Sequence, residues 1–506
     1  MKRIVCLLLA MLLVLPLAVA CGNDEKPPVA TGDSTDPADT SAPDTDADSD
    51  DTTAAPDTTP GRAHKVPVDE LNFDNEEFRT VAFEWQGYPY YFHSDEESSD
   101  PMEAALYSRR LEIEDELGVK MTYFMYDGYA NLNADIEAEV LMGSTEIDLA
   151  LLHCIVGLNK FTGQGYLYPM DLLPYVDLEA DWWNIEQMEV LRLSDYHYLG
   201  VSDYMIPCPY VLYFNKDLVE DLGLDDPYQL VKDQKWTLDA FETMARAATK
   251  DVNTDGVYDV ENDMFGLAVN DTSNYVSFVT AFNQNFTKRD EDDHLVLALN
   301  TETTADVFAR FAELTKDNVF YPDPAEQPEQ ITMDSGRLLF YGAPISASED
   351  LRDVDVPYGI LPFPKYDEAQ EDYRTLDWGG LMAVPSVVSD EALVGAVLEL
   401  LAFKASEEVI PAYYDLVLDG QLAQDPETSD MLDIIFDTIC YDAGMNYWGL
   451  YSPCMQLVFA LPNQAIRKQN GIFSSVYAQY GDATQKQIDD YYTTIKLYED
   501  YNEALN

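Results

Sequence analysis

The stretch Asp251-Val-Asn253-Thr-Asp255-Gly256-Val257-Tyr-Asp259 carries side-chain oxygens at loop positions 1, 3, 5 and 9. Gly256 stands at position 6, and Val257 offers a backbone carbonyl at position 7. This is the first-nine pattern of an EF-hand loop, in which alternate oxygens converge on calcium, a hard cation. Position 12 is Asn262 rather than a bidentate Glu, and a strand rather than a helix follows. The competing reading is a turn in which Asp and Asn side chains accept from nearby backbone N–H groups. No other chemistry declares itself. Cys154, Cys208, Cys440 and Cys454 lack C-x-x-C spacing, so a zinc site is disfavoured, and pairing or free buried thiols remain open. No nucleophile elbow, zinc-ligand helix or phosphate loop stands out, and no catalytic residue is assigned.

The N-terminus is a targeting segment. Lys2 and Arg3 precede an apolar run from Ile4 to Ala20, which reads as a signal peptide over residues 1–20. Leu17-Ala18-Val19-Ala20-Cys21-Gly22 resembles the lipobox of bacterial lipoproteins, with Ala18 where Leu is usual. That resemblance implies acylation of Cys21 and anchoring at the extracytoplasmic face of the cell membrane. Residues 22–60 hold 11 acidic groups and one Lys, with almost no large apolar side chain. Such a composition buries too little surface to fold, so residues 21–70 are expected to be an extended acidic tether. The whole chain has 94 acidic against 29 basic residues, a formal charge of −65. This excludes nucleic acid and anionic membrane as electrostatic partners, and it disfavours anionic ligands unless a local pocket overrides the field.

The body alternates strand and helix signals. Strands are expected at 78–84, 119–125, 147–152, 210–214, 264–269, 337–341 and 358–361, with helices over 104–117 and 132–142 between the first three. Such alternation implies an α/β fold with parallel strands and helical crossovers. Beyond Asp390 the pattern is helical, at 393–405, 429–439, 455–468 and 484–501.

Pro209-Tyr-Val-Leu-Tyr-Phe-Asn215-Lys216-Asp217, then Leu222-Gly223 to Tyr228, then Lys235-Trp236-Thr237 to Phe241, resemble the extracellular solute-binding proteins (family 1) of carbohydrate-type ABC transporters. Asp100–Arg110 with Ile113-Glu114, Asp181-Trp182-Trp183-Asn184 and Trp378-Gly379-Gly380 to Pro385 fit the same family. The resemblance implies a two-lobe periplasmic-binding-protein-like fold (class II) with a helical C-terminal region, a ligand in the cleft, and no catalysis. It implies a carbohydrate ligand, ABC permease subunits as partners, and membrane attachment through the lipid anchor only. Sugar-binding members can carry an EF-like loop, its missing carboxylate taken from elsewhere in the chain; Glu261 and Asp263 are local candidates. Lobe one is expected at 71–206 plus 357–386, and lobe two at 207–356 plus 387–506, with crossings near 204–209, 354–359 and 378–384.

Not every motif residue is a site. Thr237 is a good helix N-cap, with Trp236 and Phe241 placed as a hydrophobic staple, and Asn215-Lys216 ends a strand. A pyranose needs an aromatic platform for its apolar face and polar partners for its hydroxyls. Ligands of open α/β sheets lie beyond the carboxyl ends of strands. The candidates are Glu84, Trp85, His153, Trp182, Trp183, Asn270, Tyr341, Asp377, Trp378 and Trp448. The rival functions are the ligand-binding subunit of a sensor and a surface glycan-active enzyme, the latter needing two positioned carboxylates.

Overall fold

The computed structural model describes residues 62–84, 92–193, 195–269, 273–321, 333–351, 354–416, 426–451, 453–467 and 473–505. The signal peptide, Cys21 and the tether up to residue 61 lie outside them, as do Trp85 and Asn270. The strands are β1 (Glu76–Phe83), β2 (Val119–Tyr126), β3 (Leu149–His153), β4 (Leu167–Tyr168), β5 (Tyr210–Asn215), β6 (Phe265–Val269), β7 (Thr287–Arg289), β8 (Leu295–Leu297), β9 (Leu338–Pro344), β10 (Tyr358–Leu361), β11 (Thr375–Leu376), β12 (Gly380–Pro385) and β13 (Ile439–Cys440).

Two larger sheets result. The first has the order β2-β1-β3-β12-β4: β1 lies parallel to β2 and β3, and β12 returns antiparallel between β3 and β4. The second has the order β10-β5-β9-β6, with β5 antiparallel to both neighbours and β6 parallel to β9. Strands β3, β5 and β6 are buried at every residue, as strands covered on both faces must be. The connecting helices start and stop on local chemistry. Asp100 caps the helix Pro101–Leu117 by accepting from Met102 and Glu103 N–H, and Gly118, at φ +61°, ends it in the left-handed region. Asn215 Oδ1 accepts from Leu218 N–H at 3.0 Å, so it caps the helix after β5. Trp236 lies 6.2 Å from Phe241 and donates its indole N–H to Pro362 O, a staple buried in the core.

Four expectations need correction. β10 pairs with β5, so residues 357–361 belong to the second sheet and not to lobe one. For the same reason the chain does not cross near 354–359: β9 and β10 both flank β5. The helix Glu391–Lys404, placed in lobe two, packs its Leu393, Val397 and Leu401 with Leu149 and Met382 of the first sheet. The chain then passes through a π-helical turn, Ala405–Val409, and Val409 and Tyr413 pack with Val211 and Tyr213 of the second sheet. Finally, the tether ends before residue 70. Val66 is buried in the first-sheet core, and the His64 ring sits 4.9 Å from Phe403. The last helix is longer than its pattern, running Phe473–Leu505.

The two remaining crossings run side by side. Pro209 forms an isolated antiparallel bridge with Asp377, and Trp378 N–H donates to Cys208 O. This pair of segments joins the sheets and sits beneath the residues of the candidate site.

Candidate ligand site at the junction of the sheets

His153 ends β3, and Tyr210 begins β5. Trp378 lies between them on the crossing segment. Its ring centroid is 6.4 Å from His153, 6.1 Å from Tyr210 and 6.0 Å from Phe459, each in an edge-to-face arrangement. Phe83, at the end of β1, stacks on His153 at 5.8 Å, and the exposed Tyr129 meets the same imidazole edge-on at 6.0 Å. The strand ends of both sheets and the crossing thus deliver one aromatic cluster, with geometries favourable to ring quadrupoles.

The polar groups around it are fixed. Asp377 is 2% exposed; its carboxylate accepts from Cys208 N–H at 2.7 Å and from Tyr441 O–H at 2.7 Å. Burial raises its pKa, while the Tyr441 hydroxyl and backbone N–H groups oppose that rise. Burial pushes the His153 pKa down to about 3. Its Nδ1 accepts from Ile155 N–H at 3.3 Å, so the neutral ring carries its proton on Nε2. Asn446 donates to Cys154 O at 2.9 Å, tying the C-terminal region to the end of β3. All four described cysteines are buried and none is in a disulfide.

Of the residues expected at a site, the junction gathers His153, Asp377 and Trp378. Glu84 follows Phe83, is exposed, and donates its N–H to Tyr126 O. The others are corrected by their partners. Trp182 and Trp183 are core residues: their indole N–H groups donate to the two oxygens of Glu399 at 3.1 and 2.9 Å. Trp448 is 1% exposed and packs edge-on to Tyr491 of the last helix at 5.3 Å. Tyr341 packs against Tyr213 within the second sheet at 6.4 Å. Sequence reasoning missed Phe83, Tyr210, Phe459 and Tyr441. Phe83 and Tyr210 are terminal strand residues, a signal that could have found them; Phe459 lies in a π-helical turn, Gln456–Ala460, and carries none.

The acidic loop is wound as its spacing suggests. Asp251 accepts from Thr254 and Gly256 N–H, Asn253 from Asp255 N–H, Asp255 from Val257 N–H, and Asp259 from Glu261 and Asn262 N–H. Gly256 has φ +83°, which only glycine adopts at ease. Asp263, fully buried, accepts from Val252 and Asp259 N–H and closes the loop. Among the described residues no three His, Cys, Asp or Glu side chains gather as a metal centre.

No protein-family model matches the chain, and no curated protein matches its sequence. Solved structures do match. A sugar transporter from Rhizobium etli in an open conformation aligns with TM-score 0.56 at 13% identity, over 82% of this chain and 99% of that one. An ABC substrate-binding protein from Listeria monocytogenes, solved with cycloalternan, aligns with TM-score 0.52 at 12% identity, over 82% and 99%. The GacH receptor of Streptomyces glaucescens, solved with acarbose, aligns with TM-score 0.51 at 15% identity, over 82% and 99%. The fold is that of ABC-transporter solute-binding proteins. In this solute-binding fold the crossing segments 206–210 and 376–380 join the two α/β halves, and the cluster around Trp378 stands where they meet.

Proposed function

We propose that this chain is the extracytoplasmic solute-binding subunit of an ABC importer, anchored through acylated Cys21, that delivers a sugar or oligosaccharide to its permease. One observation carries the reading: Trp378, on a crossing between the sheets, is surrounded by aromatic side chains from both halves and backed by the buried carboxylate of Asp377. A closing cleft that brings such rings onto an apolar sugar face gains the anchoring that aromatic residues commonly give. Two neighbours of the same fold were solved with saccharides, which supports the ligand class. The reading includes no catalysis. His153, neutral at any physiological pH, is not poised as a general acid or base, and both Asp377 oxygens already accept hydrogen bonds.

A thermal-shift screen against mono- and oligosaccharides tests it, because a ligand of the folded state raises the melting temperature with concentration. Failure of every saccharide, followed by a shift with another ligand class, would replace the sugar. Cys21→Ser should move the protein from the membrane fraction to the medium.

We also assign a structural calcium to the loop 251–259. Asn253 and the Val257 carbonyl would ligate beside Asp251, Asp255 and Asp259, and the backbone is already wound about Asp251. Calorimetric titration with calcium should show one site, and a chelator should lower the melting temperature.

A further inference from the structure

A cavity of about 400 Å3 opens between the helix Ile185–Leu191 and the hairpin of β7 and β8. Tyr441, whose hydroxyl holds Asp377, lines it, so it adjoins the aromatic junction. Most charges in its wall are already matched. Asp442 accepts from Phe286 N–H, Thr287 N–H and Thr287 O–H at 2.8, 3.2 and 3.0 Å. Arg192 is paired with Glu189 at 2.6 Å and with Asp293 at 3.1 Å.

Arg374 is different. Its Nη2 donates to the neutral Asn285 Oδ1 at 3.0 Å, its buried Nε–H has no partner, and no carboxylate among the described residues pairs with it. Lys288, exposed in the same wall, also has no ion pair among the described residues. In a chain with 94 acidic and 29 basic residues, a guanidinium beside a cavity without a carboxylate is the exception. A buried donor left unsatisfied is costly, and a guanidinium binds a carboxylate through strong, charge-assisted hydrogen bonds. Glu186, also in the wall, can accept from hydroxyls.

We propose that this cavity is a subsite for an acidic saccharide: Arg374 and Lys288 bind the carboxylate of a uronic-acid residue, and Glu186 takes its hydroxyls. The inference rests on the saccharide reading above and narrows it. The chain's global negative field opposes such a ligand, and two cations without an ion pair among the described residues, Arg374 and Lys288, are what counter it locally.

Short oligogalacturonides and oligoglucuronides, their methyl esters, and neutral maltooligosaccharides are titrated calorimetrically into the purified protein. An acid form should bind at least about tenfold more tightly than its ester, a difference that shrinks with added salt. Arg374→Gln, checked by its melting curve, should abolish the difference by weakening the acid form far more than the ester; Arg374→Lys should restore part of it. Should Arg374→Gln fail to fold, the exposed Lys288→Gln should reduce the same difference. Equal binding of acid and ester, or an acid preference that survives in Arg374→Gln and Lys288→Gln, overturns the subsite but leaves the sugar reading standing, as does binding of neutral sugars alone. Binding of no saccharide at all removes both.

Discussion

Two places in this molecule pair tryptophan with a buried carboxylate, and they do opposite things. At Glu399, two indole N–H groups and Asp177 N–H converge on one carboxylate, and both tryptophans lie in the core of the first sheet. At Asp377, backbone N–H and Tyr441 take the carboxylate, and the neighbouring Trp378 ring is left to pack among aromatics from both sheets. A tryptophan whose polar edge is consumed inside one core is architecture. A tryptophan on a crossing, with rings from both sheets against it, packs where the two halves meet. The partner of the indole, rather than the indole itself, separates the two.

The comparison breaks most visibly at Glu399. Glu399→Ala strands two buried indole donors and one half-buried N–H, and should cost roughly 3 kcal/mol of stability, since each unsatisfied buried group costs about 1–3 kcal/mol. Urea denaturation measures the loss, and saccharide affinity of the folded fraction should not move. An affinity change as large as the stability change would put Trp182 and Trp183 back at the site.

Trp378→Phe should show the converse. It keeps an aromatic ring but shortens the contact to His153, Tyr210 and Phe459, so affinity should fall about tenfold, or ~1.4 kcal/mol, with a smaller loss of stability. Calorimetry on the folded variant decides it; unchanged affinity would dissolve the distinction drawn above. Tyr441→Phe is milder. It removes one hydrogen bond to Asp377 and leaves the backbone donors, for a loss of about 1 kcal/mol, read from the denaturation midpoint.

How much of this was legible in the sequence follows from the range of each interaction. Strand periodicity is local, so β1, β2 and β3 could be read directly, whereas the helix expected from residue 104 begins at Pro101, capped by Asp100. Asp377-Trp378 stood out as a candidate because the two glycines beside it would let a ligand approach closely. Sheet membership was not: β10 reads as a strand, but its partner β5 lies more than 140 residues earlier in the chain. Trp182-Trp183 read as stacking residues because their acceptor, Glu399, is over 200 residues away. Phe459 depends on how a π-helical turn aims its side chain, which no residue pattern announces.

A third carboxyl, half-buried, sharpens the comparison, because its partner is another acid. Glu408 sits in the π-helical turn between the part of the long helix that packs on the first sheet and the part that packs on the second. It faces Glu112 of the helix Pro101–Leu117, with Ser108 beside them. Lys404 binds Glu112 at 2.7 Å and Glu116 at 2.9 Å. Burial first, then the negative charge of Glu112, pushes the Glu408 pKa up to about 7, while the Lys404 ammonium holds Glu112 below its usual range. Unfolded, Glu408 titrates near the ordinary value of 4.5. Between that value and about 7 the folded state keeps a proton the unfolded chain has released. The stabilisation is therefore fully present below pH ~4.5 and is lost as pH rises through about 7. Glu408→Gln carries the neutral, donating form at every pH. It should match the parent near pH 4.5 and exceed it at pH 8 by roughly 1 kcal/mol, measured by urea denaturation at the two values. A difference that does not grow with pH would mean that no proton is shared between Glu408 and Glu112.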